Sequence, residues 1–186
     1  MKRFVDILLS VIATGIFLIP MLFIAIIVKL TSQGPIIYWS TRIGRRNIEF
    51  RMPKFRSMII GTPVVATHLL TGPDAYLTPV GRLLRQTSLD ELPQLWSVLM
   101  GDMSLVGPRP TLPSQIQLNK LRSQYGVDVL KPGITGWAQV NGRDNLNDIT
   151  KVAFDVKYLQ RQSIVFDIKI LLMTITKVLV RDNISH

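Results

Sequence analysis

The 186-residue chain contains no cysteine, which excludes disulfide staples, thiolate metal sites and thiol nucleophiles. Histidine is nearly as scarce. His68 and His186 are the only two, and neither has a second ligand at metal-binding spacing, so a histidine metal centre is not expected. His68 reads as a surface residue. Acids are few as well: 12 Asp and Glu stand against 22 Lys and Arg, a formal charge of +10. That balance predicts a polyanionic partner, whether nucleic acid, anionic lipid or a phosphorylated substrate. No motif or aromatic platform for reading bases accompanies the charge, so nucleic acid is not expected. There is no internal repeat and no low-complexity linker. The length suits one domain with a modest core rather than two.

What the chain does have is apolar sequence, 47% of residues, with the excess at one end. Residues 7–28, ILLSVIATGIFLIPMLFIAIIV, carry no charge over 22 positions, enough to cross about 30 Å of hydrocarbon as a helix. A cleaved signal peptide fits less well, because the run is longer than the usual apolar region and no small-residue cleavage site follows Lys29. Pro20 lies mid-run, where it removes a backbone hydrogen bond and kinks or breaks a helix. Basic residues flank both ends: Lys2 and Arg3 before, then Lys29, Arg42, Arg45 and Arg46. A straight span leaves one basic set on the wrong side of the membrane, whereas a re-entrant hairpin bent near Pro20 keeps both on one side. Proline-kinked spanning helices also exist, and the residues alone leave both readings open.

After this segment, β-branched and aromatic residues around Gly44–Asn47 predict two short strands and a turn, with Pro35 and Pro53 confining them to sheet edges. From Arg42 to Arg56 six basic residues accompany one acid, Glu49, a pattern that fits a solvated face or a phosphate site. Residues 59–80 read as a loop-rich excursion. Helices are predicted over 112–126, ending at Gly126, over 148–162, and over 165–180. The last is apolar around much of its circumference, which fits burial against the core or a position in the membrane interface.

Asp90 and Glu91 stand together in SLDELPQLWSVLMGDMSLVGPRP, residues 88–110. Ser88 and Glu91 match a capping box, with Leu89, Leu92, Leu95, Trp96 and Leu99 as an apolar stripe. Pro93 conflicts with a helix begun at Ser88 and would instead restart one at its own position, leaving the acids at a break. Arg82 and Arg85 lie upstream, Arg109 and Arg143 downstream, and arginine forks match phosphate oxygens. Gly107 and the KPGITG turn, residues 131–136, permit close backbone approach to a ligand. Together these residues describe a site for an anionic substrate and a divalent cation. Mg²⁺ suits it, since that ion takes one or two carboxylates and leaves its other positions to phosphate and water.

The sequence resembles the bacterial sugar transferases, the monotopic phosphoglycosyl transferases. The motifs that carry this are KRFVD at 2–6, the apolar run with its proline, KFRSM at 54–58, GRLLRQTSLDELPQLWSVLMGDMSLVGPRP at 81–110 and KPGITGWAQVNGR at 131–143. Ile19 precedes Pro20 where the family often has serine, and Ser57 stands where threonine is usual. The resemblance implies transfer of a sugar 1-phosphate from a UDP-sugar to a polyprenyl phosphate, releasing UMP, with Mg²⁺. It implies Asp90 as the nucleophile that forms an aspartyl-phosphosugar intermediate, Glu91 helping Asp90 hold the metal, and Lys54, Arg85 and Arg109 on phosphate. Thr135, Gly136, Gln139 and Arg143 would contact the nucleotide. The expected fold is α+β and mostly helical. A re-entrant membrane helix hairpin (residues 1–30, broken at Pro20) would pack on a cytosol-facing catalytic domain (31–186) with a short β-hairpin and interfacial helices. The implied location is the cytoplasmic face of the bacterial inner membrane. A one-step transfer, a non-catalytic basic scaffold and a homo-oligomer are left open.

Overall fold

The computed structural model describes residues 1–65, 70–142 and 146–180; His68, Arg143 and His186 lie outside them. The apolar run forms α1 (Lys2–Thr31), 30 residues long with Pro20 inside it. A hairpin of two segments parted at Pro20 was expected, but the helix is continuous through the proline. A proline deprives one carbonyl four residues upstream, that of Ile16, of its donor, and the flanking turns keep their own hydrogen bonds. Helix α1 is long and apolar enough to cross a membrane.

Both ends of α1 nevertheless rest on the same body. Near its start the buried Asp6 carboxylate accepts from Ser104 Oγ at 2.9 Å and from the Leu105 N–H at 3.2 Å. Near its end Ile24 and Val28 are buried with Phe55 and Leu84. Residues 15–20, between these anchorages, are all exposed.

The two expected strands are β1 (Ile37–Ile43) and β2 (Glu49–Phe55), paired antiparallel. Their turn includes Arg46 and Asn47 at φ 56° and 59°, which Asn tolerates and Arg adopts at some cost. The register sets Tyr38 opposite Lys54, Ser40 opposite Met52 and Arg42 opposite Phe50. Directly opposed residues share a face, so Lys54 and Arg42 point the same way. On the other face Arg51 lies over the Trp39 ring, 5.6 Å from its centre.

Two three-residue strands, β3 (Ser104–Val106) and β4 (Gly133–Thr135), pair in parallel. Around them lie α2 (Gly81–Gln86), α3 (Gln94–Met100), α4 (Ile116–Gln124), α5 (Trp137–Val140), α6 (Asp148–Arg161) and α7 (Ile164–Val180). Helix α4 stops where Gly126 turns left-handed at φ 70°, as the glycine predicted. Asn147 caps α6 by accepting the Thr150 N–H at 2.8 Å, a contact that stabilises the helix by about 1 kcal/mol. Val98, Met103, Val106, Tyr158 and Ile170 form the centre of the core.

A polar knot ties the chain ends together. Asp167 accepts from Lys2 Nζ and from the buried Tyr158 hydroxyl, each at 2.6 Å, and both donors also reach the Val106 carbonyl. Helix α7 is buried on one side only. Ile170 is fully buried, while Val165, Ile168, Leu172, Ile175 and Val178 form an exposed apolar stripe at helical spacing.

Candidate active site

The acid pair sits on a short turn. After α2 the backbone turns left-handed at Ser88 (φ 57°, ψ 16°), and Leu89–Glu91 form one 3₁₀ turn. Pro93, at φ −60°, is the N-cap of α3, one position ahead of the expected place; a proline costs no helical hydrogen bond there because that N–H would lack a helical partner anyway. The capping box does not form. An N-cap residue needs extended backbone angles, and Ser88 makes no side-chain cap. The apolar stripe also differs from expectation: Leu95 and Val98 are buried, but Trp96 is 55% exposed. Restarting the helix at Pro93 rotates it relative to a helix begun at Ser88.

This turn presses the acids against β2. Glu91 Oε1 accepts from Lys54 Nζ at 2.8 Å and from Arg109 Nη2 at 3.3 Å. Asp90, 7% exposed, lies in the same cluster. Burial pushes its carboxyl up to about 6, and Glu91 adds to this, while Lys54, Arg85 and Arg109 pull it down. The group is therefore ionised above pH 6 despite being desolvated, because three cations surround it. Arg85 Nη1 lies 3.1 Å from Met58 Sδ.

Sequence reasoning missed two further arginines. Arg42, read only as one charge in a basic run, is drawn down to about 10 by burial and by Arg109, with Glu91 and Tyr38 opposing. Its place on the Lys54 face of the hairpin puts it beside the acids; strand alternation was the available signal. Behind Arg109, Arg122 donates through Nη1 to the Arg109 carbonyl at 2.8 Å, and through Nε and Nη2 to buried Asp155 Oδ2 at 3.0 and 2.8 Å. Nothing in the local sequence marks that contact, which joins α4, α6 and the Pro-flanked loop. Arg82, by contrast, pairs with Asp74 on the surface.

The residues expected at a nucleotide stand on β4 and α5. Thr135 Oγ1 bonds Thr174 Oγ1 at 2.7 Å, and Gln139 Nε2 donates to the Ile134 carbonyl at 3.0 Å. A Cβ at Gly136 would collide with the Gly107 carbonyl, so the two backbones meet only because glycine is there. Trp137 Nε1 and Gln139 Oε1 are buried and have no hydrogen-bond partner among the described residues. Arg143 is outside the described residues.

For Mg²⁺ the donor set fits. Asp90 and Glu91 are adjacent oxygen donors, and no cluster of three or more acidic or histidine ligands exists among the described residues. Two carboxylates with the remaining positions left to phosphate and water suit a hard, octahedral ion.

Comparison with known proteins shows the family. A protein of Escherichia coli (strain K12) named UDP-glucose:undecaprenyl-phosphate glucose-1-phosphate transferase is 41% identical over 184 residues, covering 95% of this chain and 40% of that protein. An uncharacterized sugar transferase of Bacillus subtilis (strain 168), EpsL, is 38% identical over 186 residues, covering 100% and 91%. An Aeromonas hydrophila protein named UDP-N-acetylgalactosamine-undecaprenyl-phosphate N-acetylgalactosaminephosphotransferase is 38% identical over 184 residues, covering 96% and 43%. The chain thus spans about two fifths of the first and third relatives and nearly all of the second. The sequence profile described as Bacterial sugar transferase matches residues 1–181, and with its acid pair, basic strand and Pro-flanked arginine the chain belongs to that enzyme family.

Proposed function

We propose that this chain transfers a sugar 1-phosphate from a UDP-sugar to a polyprenyl phosphate in two steps. The observation that carries the reading is the buried Asp90 carboxylate next to Glu91, which pairs with Lys54 at 2.8 Å and Arg109 at 3.3 Å. In the first step an Asp90 oxygen attacks the sugar-bearing phosphorus, the bond to the bridging oxygen breaks, and UMP leaves. In the second, a phosphate oxygen of the polyprenyl phosphate attacks the same phosphorus and Asp90 departs as carboxylate. A carboxylate nucleophile divides one hard displacement into two easier ones.

Attack by an anion on an anionic diphosphate needs positive charge around it. Lys54 and Arg109, now on Glu91, and Arg85 would bind the phosphate oxygens, with Arg42 behind them. Asp90 and Glu91 would hold Mg²⁺, which when bound neutralises developing charge on the diphosphate. Thr135, Gly136 and Gln139 would contact the uridine, and the unmet hydrogen-bonding capacity at Gln139 Oε1 and Trp137 Nε1 supports a polar ligand there. The bilayer would receive the exposed faces of α1 and α7. Since both ends of α1 rest on one body, we read the helix as entering and leaving one leaflet on the cytoplasmic face. Labelling both ends from one side tests this; opposite-side labelling would remove the reading.

The chemistry is tested without acceptor lipid. Purified protein given UDP-sugar and Mg²⁺ should release UMP and gain the mass of one sugar phosphate. Full turnover with no adduct would leave a one-step transfer, with Asp90 a metal ligand only.

A further inference from the structure

A second basic site lies away from the acid pair. A cavity of about 240 Å³ is lined by Lys2, Arg3, Arg45 and Lys131, with Asp6 and Gln162 beside them. Most of its polar groups are committed. Lys2 is held by Asp167, the Arg3 guanidinium by the Val98 and Leu99 carbonyls, and Arg45 Nε by the Val129 carbonyl at 2.7 Å. The Asp6 carboxylate is turned to Ser104 and Leu105.

That leaves a surplus of positive charge. Among the described residues the Lys131 ammonium has neither a hydrogen bond nor an ion pair within the chain. It faces like charge instead. A Cβ placed on Gly101 would lie 3.4 Å from Arg3 Nη2 and 3.6 Å from Lys131 Nζ, so both cations reach the same point of backbone. Burial, then Arg3 and Arg45, pull Lys131 below the usual lysine range, and Asp6 and Asp102 only partly oppose this. A bound anion would relieve the repulsion, and tetrahedral phosphate oxygens match one ammonium and a guanidinium fork together.

The surroundings indicate which anion. Lys2 opens α1 and its partner Asp167 lies in the first turn of α7, so the cavity sits where these two helices start. From there Phe4 and Leu8 on α1, 70% and 47% exposed, and Val165 and Ile168 on α7, 78% and 47% exposed, present apolar surface. A charged socket at the root of two apolar helix faces matches an amphiphile. We propose that the cavity of Lys2, Arg3, Arg45 and Lys131 binds the phosphate headgroup of an anionic lipid, with Lys131 and Arg45 as its principal ligands.

The test uses the full chain in a neutral detergent, with short-chain phosphatidylglycerol as probe and bound lipid counted by native mass spectrometry. The wild type should bind phosphatidylglycerol about tenfold more tightly than phosphatidylcholine of equal chain length. The double variant Arg45→Gln/Lys131→Gln should lose that preference, while Lys131→Arg keeps it. Unchanged binding by the double variant, or equal binding of the two lipids by the wild type, overturns the proposal. If the double variant fails to fold, the exposed Arg45→Gln alone should weaken phosphatidylglycerol severalfold, and no weakening overturns the proposal equally. Inorganic phosphate forms the second arm. If it displaces the lipid at comparable concentration from the wild type, the phosphate site stands but the lipid assignment falls; failure to displace supports the headgroup of a lipid. The readout is binding, so it is independent of turnover at Asp90.

Discussion

Replacing Arg122 by Met tests how the loop carrying Arg109 is held. Arg122 and Asp155 form an ion pair with side chains only 11% and 2% exposed, and Arg122 also donates to the Arg109 carbonyl. Removing one member of such a pair strands a buried charge, which costs about 3–5 kcal/mol. The lost hydrogen bond to Arg109 lies within that figure at about 1 kcal/mol. Replacing both members, as Arg122→Met/Asp155→Leu, removes the stranded charge, so the double variant should return to within about 1–2 kcal/mol of wild type. The assay is denaturant unfolding in micelles followed by circular dichroism. The sign with pH is also set. Burial raises the Asp155 carboxyl above its ordinary value, and Arg122 is the main opposing influence. Without Arg122 the folded-state value rises further. An acid raised in the folded state has its stability contribution in full below its unfolded value and loses it as pH climbs through the folded value. The Arg122→Met penalty should therefore be largest at alkaline pH and shrink on acidification. An unchanged unfolding midpoint, a penalty indifferent to pH, or a double variant no more stable than the single would refute the reasoning.

Asp90→Asn should abolish the phosphosugar adduct and lower turnover by about 10³-fold or more, with an unfolding curve no worse than wild type; retained adduct would identify another nucleophile. Glu91→Gln should weaken Mg²⁺ binding, read as a rightward shift of the Mg²⁺ titration of UMP release. Tyr158→Phe removes the hydroxyl that donates to Asp167 and lies 3.1 Å from the Val106 carbonyl and should cost about 1–3 kcal/mol by thermal unfolding. Ile168→Lys/Leu172→Lys places charge on the exposed stripe of α7; with α1 still holding the protein in the bilayer, a fluorophore attached through Val165→Cys should become more accessible to an aqueous quencher while the circular dichroism stays unchanged. Equal quenching in both proteins would remove α7 from the interface.

Much of the local structure was legible because it depends on neighbours in sequence. Gly126 ended α4, a helix formed over the segment read at 148–162, and the two strands flanked the Gly44–Asn47 turn as β-branched and aromatic patterning predicted. The cluster of Lys54, Glu91 and Arg109 was legible only through motif resemblance, since the three come from β2, a 3₁₀ turn and a loop. Misreadings arose where one residue had two competing local roles. Ser88 and Glu91 satisfy a capping pattern, yet Pro93 forces the helix to begin later, and Ser88 bends left-handed to bring the acids onto β2. Pro20 had signalled a break, but a continuous helix absorbs one missing hydrogen bond.

The sequence by itself determined the composition of the chemistry: no thiol, an acid pair among many cations, and an apolar segment long enough for a membrane. These follow from residue type and order alone. Tertiary structure decided which charges meet. Arg42 joins the acids through strand register, Arg122 steadies Arg109 across three elements, and Arg3, Arg45 and Lys131 converge on one cavity from distant positions. Electrostatic work depends on distance and burial, and neither is written in a sequence until the chain has packed.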